Sequence, residues 1–221
     1  MVTKTKRNRA HQKYVCQEGP YAGQEVPGVT TVLNILNKPA LVPWAWGLGM
    51  KGLDYRKVRD QAADIGTIAH SMIEADIRGE AFDPSEYAPA DVAKAEVSYI
   101  AWLDWRKANI VDVLHSELQM VSEEYGFGGT IDCIARHNGD VWLVDVKTGK
   151  AVYDEMIAQV AAYQVMYGDR FGHIGQVHII RLDKEDGIFT DHQIPERKLV
   201  AGWDLFLHAL GCYRALRELK R

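Results

Sequence analysis

Asp132, Asp145 and Lys147 are the residues of this 221-residue chain best placed by type and spacing to do chemistry together. They flank Asn138-Gly139, a dipeptide that favours a two-residue β-hairpin turn because both positions tolerate positive φ. With that turn the register follows. His137 faces Asp140, Arg136 faces Val141, and the pairing runs on through Cys133 and Val144 until Asp132 meets Asp145. Lys147 lies two residues beyond Asp145 and so on the same face. Two carboxylates directly opposed across strands repel unless something compensates. A divalent cation compensates, and oxygen ligands suit Mg²⁺ or Mn²⁺. A lysine beside such an ion suits a reaction in which negative charge grows, of which phosphodiester hydrolysis is one. The carbonyl of Val146 is a further candidate ligand. The plainer reading is a pair of exposed strand-end acids, or one acid paired with Lys147, and a β-bulge would break the register.

The elements that must position these residues fall into two halves. The first reads as helix: an apolar run over residues 29–36 stopped near Pro39, a Trp-rich stretch over 40–57, a stronger segment over 68–78 opened by Gly66-Thr67, and a helix over 90–107 with Ala93, Val97, Ile100, Ala101 and Trp105 on one face. The second half switches to period two, with strands over 114–122, 129–136 and 141–147. A helix over 154–167, a strand over 176–182, an edge strand over 188–194 and a closing helix over 198–219 complete it. In that last helix Leu205, Ala209, Cys212, Leu216 and Leu219 suit core packing.

Composition narrows the class. At 47% hydrophobic and 25% charged the chain suits one globular domain. No apolar run approaches the roughly 20 residues of a membrane span, and the basic residues Lys4, Lys6, Arg7 and Arg9 are not followed by an apolar stretch, so a cytoplasmic location and no membrane partner are expected. Cys16, Cys133 and Cys212 have no C-x-x-C spacing and read as buried thiols. Residues 1–13 hold five of the 26 basic residues and no acid, which leaves 21 basic against 30 acidic residues, a net of −9, for the remainder. A basic flexible arm over 1–13 therefore precedes an acidic body over 14–221. The arm is either a solvated tail or a phosphate contact.

Gly129-Thr130-Ile131-Asp132, Asp145-Val146-Lys147-Thr148 and Gln159 through Tyr163 resemble the core motifs of the RecB-like exonuclease branch of the PD-(D/E)xK nuclease superfamily. Gly66-Thr67-Ile68-Ala69-His70 with Glu74 resembles that branch's helix motif. Residues 29–33 resemble its N-terminal segment in phage-type members and mitochondrial genome maintenance exonucleases. The match runs from about residue 26 to 182. It implies an α/β fold with a restriction-endonuclease-like core, a mixed central β-sheet flanked by helices, in a single nuclease domain. That domain would be helical to about residue 110, with the catalytic core over about 111–221. It also implies metal ligation by His70, Asp132, Asp145 and the Val146 carbonyl, with Lys147 the catalytic lysine and Gln159 orienting the site. Without the motif, His70 reads more simply as a hydrogen-bonded core histidine.

Around these, Glu74, one turn from His70, is a surface acid or the partner that holds the imidazole tautomer. Glu117 matches an acid found ahead of G-T-x-D in related sequences, and Tyr163 is a core residue or a direct participant. Thr148 and Lys150 extend toward where a phosphate backbone would run, although a surface lysine is the cheaper explanation for Lys150. Trp44 and Trp46 suit stacking on unpaired bases and, more often, a core. The cysteines do not make the four-cysteine group of cluster-bearing relatives, so no iron-sulfur cluster is expected. No Walker A pattern occurs, so no nucleotide cofactor is expected and a helicase, replication or recombination partner would be a separate chain. The resulting expectation is a metal-dependent DNA nuclease, an exonuclease on single-stranded or frayed ends in phage or bacterial DNA replication, recombination or repair. Its alternatives are a structure-selective flap or branch endonuclease and a non-catalytic nucleic-acid-binding accessory protein.

Overall fold

The computed structural model describes residues 13–109 and 112–220. Lys4, Lys6, Arg7 and Arg9 of the expected arm lie outside them, and Lys13 pairs on the surface with Glu25 at 2.8 Å. Short strands β1 (Tyr14–Val15) and β2 (Glu25–Val26) pair antiparallel. Helices α1 (Val29–Leu33), α2 (Leu41–Met50), α3 (Tyr55–Arg78) and α4 (Pro89–Asn109) follow. The second half runs β3 (Asp112–Ser122), β4 (Phe127–His137), β5 (Asp140–Lys147), α5 (Asp154–Phe171), β6 (Gln176–Leu182), β7 (Phe189–Gln193) and α6 (Glu196–Glu218).

The five long strands form one sheet in the order β3-β4-β5-β6-β7. Only β5 and β6 pair parallel, because a helix, α5, connects them while hairpin-like links join the others. This is the α/β class with the mixed, helix-flanked central sheet that the resemblance implied. The turn forms at Asn138-Gly139 with φ of 48° and 92°, the pair of positive values a type I′ turn requires. The predicted register holds from His137↔Asp140 to Cys133↔Val144.

Two cores cover the two faces of the sheet. On one, Ile131, Ile134, Leu143, Val177 and Ile179 meet α1, α5 and α6, with Phe206 set edge-on to Phe127 at 4.7 Å. On the other, Cys133, Ala135, Trp142, Val144, Val146 and Ile180 meet Ile73 of α3 and Trp102 and Trp105 of α4. Each fully buried large side chain contributes roughly 1.5–3 kcal/mol. Ile65, Ile68 and Met72 of α3 pack with Ala95 of α4, so α3 is anchored by its middle and C-terminal turns.

Several expectations from the sequence are corrected. α3 is one helix running through Gly66, and the break falls at 51–54, where Gly52 adopts φ of 71° and the Asp54 side chain caps Arg56 N–H. The buried face of α4 is Ala95, Ser98, Ala101, Trp102 and Trp105, rotated from the predicted stripe so that Ile100 faces solvent. α6 buries Leu199, Gly202, Phe206, Ala209 and Leu210, and its last turns project beyond the core, leaving Leu216, Leu219 and Cys212 exposed. Cys16 and Cys133 are buried as expected.

A polar pin joins α4 to the edge of the sheet. The carboxylate of Asp191 accepts from Trp105 Nε1 at 2.8 Å and lies 2.7 Å from His178 Nδ1. Burial alone would raise the Asp191 pKa, but these hydrogen bonds outweigh it and hold the group below its ordinary value of 3.8. A carboxylate with a depressed folded pKa contributes stability above its unfolded pKa and loses it as pH falls through the folded one. Asp191→Asn should therefore lower stability near neutrality and flatten its loss below about pH 4. Urea unfolding at pH 7, 5, 4 and 3 checks this, and an unchanged acid limb in the variant would refute the assignment.

Candidate active site

The hairpin ladder stops one pair short of the predicted meeting of Asp132 and Asp145. Cys133↔Val144 is the last pair, and beyond it Asp132 Oδ2 accepts the Val146 N–H at 3.0 Å. A side chain has taken the place of a backbone carbonyl, and the strands part there. Asp132 lies in the middle of β4 because that strand continues to Phe127 against β3. Side-chain alternation also breaks at this point: Ile131 and Cys133, which regular pleating would put on one face, enter opposite cores.

On the other side of β4 the register brings Glu117 level with Asp132, since Ser116 pairs with Cys133 and Leu118 with Ile131. Glu117 has φ of 51°, a left-handed conformation rare outside glycine that costs energy to hold. α3 then supplies His70. Ligand atoms of His70, Glu117 and Asp132 all lie within 4.8 Å of one another, with His70 Nδ1 3.8 Å from Asp132 Oδ2. Asp145, 1% exposed, is met by Lys147, whose Nζ lies 2.6 Å from Oδ2. One imidazole and two carboxylates within reach of one another are a donor set that fits a hard divalent cation, while Asp145 stands outside that group, held by Lys147.

An open cleft of about 460 Å³ reaches His70 and Asp132 of this group. His70, Asp132, Val146, Lys147, Thr148, Gln159 and Tyr163 all line it, so the structure brings together residues far apart in sequence. Glu74 and Glu117 line a narrow crevice behind it with His70 and Asp132. The Glu74 carboxylate is engaged by Arg78 at 2.7 Å, which favours a supporting place over ligation. Lys150 points into solvent, 3.9 Å from Glu185. Trp44 and Trp46 are exposed on α2 and lie outside both the core and the cleft lining.

Tyr163 is fully buried, and burial pushes its phenol above the ordinary range, so it stays protonated at neutral pH. Its hydroxyl accepts from Gln159 Nε2 at 3.1 Å, which leaves the Gln159 amide oxygen as the acceptor for the cleft. Cys133, beside Asp132, is pushed up to about 12 chiefly by burial, which removes it as a nucleophile.

Three further contributors went unassigned from sequence. Tyr14 lines the cleft and hydrogen-bonds Thr130 Oγ1 at 3.0 Å, its ring lying over Gly128. Gly66 lets α3 approach the end of β5, because a Cβ there would sit 3.0 Å from Thr148 Oγ1. Lys184, whose pKa burial lowers, donates to the Ala62 carbonyl at 2.8 Å and ties α3 to the β6–β7 loop. The motif glycines hinted at close approach, but nothing local to residue 14 or 184 reveals a contact 116 or 122 positions away.

A sequence model described as the PD-(D/E)XK nuclease superfamily matches residues 45–209. No curated protein matches the sequence. Among solved structures, a Eubacterium rectale protein described only provisionally as an exonuclease aligns at 16% identity with a TM-score of 0.48. The alignment covers 71% of this chain and 66% of that one, just under two thirds of its length. LHK-Exo, solved in complex with dAMP, aligns at 16% identity with a TM-score of 0.42, over 73% of this chain and 89% of that one.

The seat of Tyr163 is testable. A Cβ on Gly129 would fall 2.5 Å from Tyr163 Cε1, a buried ring with no room to yield. Gly129→Ala should cost about 1–3 kcal/mol, read as a lower urea midpoint at unchanged m-value. A shift within about 0.5 kcal/mol would show that the ring is not held there.

Proposed function

The chain belongs to the PD-(D/E)XK nuclease superfamily, and we propose that it is a divalent-metal-dependent DNA nuclease of the RecB-like branch, an exonuclease acting on single-stranded or frayed ends in phage or bacterial DNA replication, recombination or repair. The observation that carries the reading is the convergence of His70, Glu117 and Asp132 within 4.8 Å, with the Asp145–Lys147 pair on the neighbouring strand and His70, Asp132 and Lys147 lining a cleft open to solvent. The preference for ends rests on the family resemblance, and the N-terminal half contributes Tyr14, Thr30, Ala62, Ala63, Gly66 and Thr67 to the cleft lining.

His70, Asp132, Asp145 and the Val146 carbonyl, with Glu117 in reach, would hold Mg²⁺ or Mn²⁺. Such an ion supplies Lewis-acid activation of the phosphoryl group and of the attacking water. The chain's own residues do the rest. The Val146 N–H fixes the Asp132 carboxylate. Lys147, anchored on Asp145, presents a cation where the pentavalent phosphorus accumulates negative charge. Gln159, oriented by Tyr163, offers an amide oxygen to water or to the strand.

Purified protein with end-labelled linear and covalently closed circular single-stranded DNA, each with Mg²⁺, Mn²⁺ or EDTA, tests the proposal. Loss of the linear substrate alone, dependent on metal, is expected. Cleavage of the circle would replace the exonuclease reading with an endonuclease one, and no cleavage under any metal would refute catalysis. Asp145→Ala and Lys147→Ala should each reduce the rate at least about a hundredfold with circular dichroism unchanged, and full activity in either would overturn the site assignment.

A further inference from the structure

Residues 41–64 contain no buried position. They comprise α2 and the first turns of α3, which stand off the body as an arm beside the cleft. α2 is a poor candidate for an autonomous helix. It carries Pro43, Gly47 and Gly49, it buries nothing, and both glycines face open space, at about 1 kcal/mol each against alanine. Its outer face nevertheless bears Val42, Trp46 and Met50, spaced four apart and 75%, 69% and 69% exposed. Trp44 turns the other way and packs edge-on against Tyr55 at 6.4 Å.

The arm also carries exposed basic side chains. Residues 41–64 hold four basic residues and three acids, a net of +1 in a chain whose total is −4. Arg59 is paired with Asp60 at 2.7 Å and Lys38 lies 3.7 Å from Glu155. Lys51, Arg56 and Lys57 are exposed, with Arg56 over the Tyr55 ring at 5.7 Å. From Tyr55 to Ala62, where α3 reaches the cleft rim, is about 10 Å at 1.5 Å per residue. That distance is about three nucleotides at roughly 3.4 Å each.

We propose that the α2 arm is a docking platform for single-stranded nucleic acid, on which Trp46 stacks unpaired bases while Lys51, Arg56 and Lys57 neutralise phosphates of the strand that enters the cleft. This rests on the nuclease reading for the identity of the strand. The pairing of exposed aromatic and basic side chains is what such binding requires, since every base has a face to stack and every nucleotide a charge. A second copy of the chain fits less well. A stripe of three side chains on a helix about 15 Å long falls short of the roughly 800 Å² per partner of a stable protein interface.

Fluorescence anisotropy of labelled oligo(dT) in EDTA reads binding without cleavage. Trp46→Ala should weaken binding about tenfold and Trp46→Phe should restore most of it. The double variant Lys51→Ala/Lys57→Ala should reduce the slope of log K against log salt by about 1.4, and Trp46→Ala should leave that slope unchanged. Residue 46 is exposed, so circular dichroism and thermal melting should match wild type. Wild-type affinity in Trp46→Ala, no oligo(dT) binding by the wild type, or stronger binding of blunt duplex than of oligo(dT) would each overturn the platform. So would a dimer in sedimentation that Trp46→Ala dissociates without changing oligo(dT) binding. Oligo(dT) binding that depends on Trp46 in a protein that cleaves nothing would leave the platform standing and remove the nuclease reading.

Discussion

A charged carboxylate withdrawn into a sheet costs several kcal/mol unless partners meet it, and this molecule places Glu117, Asp132 and Asp145 on three adjacent strands. Each has a different answer. Asp145 is met by Lys147 at 2.6 Å. Asp132 takes a backbone N–H that the ladder would otherwise have used, and His70 from α3 approaches its other side. Glu117 is turned by a left-handed backbone. These answers come from three strands and a helix, so α3 meets the sheet through His70 as well as through its apolar face. Gly66 against Thr148, and Lys184 on the Ala62 carbonyl, set its depth at the cleft, and Ile68, Ala69 and Met72 set it behind.

The same constraint explains what the sequence disclosed and what it hid. The Asn138-Gly139 turn and period-two patterning were enough to pair β4 with β5 from His137 to Cys133, because a two-residue turn leaves one register that keeps the apolar faces covered. The departure at Asp132 was hidden. It is produced by a side chain capturing the Val146 N–H, and hydropathy carries no information about such a capture. His70, Gln159 and Tyr163 were found through motif resemblance and not through periodicity. They reach the cleft only because α3 and α5 pack on the sheet from different parts of the chain. Helix limits followed a similar rule. Gly66 looked like a helix boundary because glycine is weak in helices, and packing against Thr148 is the tertiary reason it sits inside one. Tyr14 gave no signal at all, since its place over Gly128 depends on how β1 and β2 dock on β4.

Charge distribution separates attraction from chemistry. Glu117, Asp132 and Asp145 outnumber Lys147 at the site, so a polyanion approaches it more readily when a cation is held there. The chain as a whole is acidic, and Lys51, Arg56 and Lys57 are exposed on the arm. If the arm docks the strand as proposed, it acts by direct contact a few nucleotides from the cleft, so affinity and catalysis would depend on different residues and respond differently to salt.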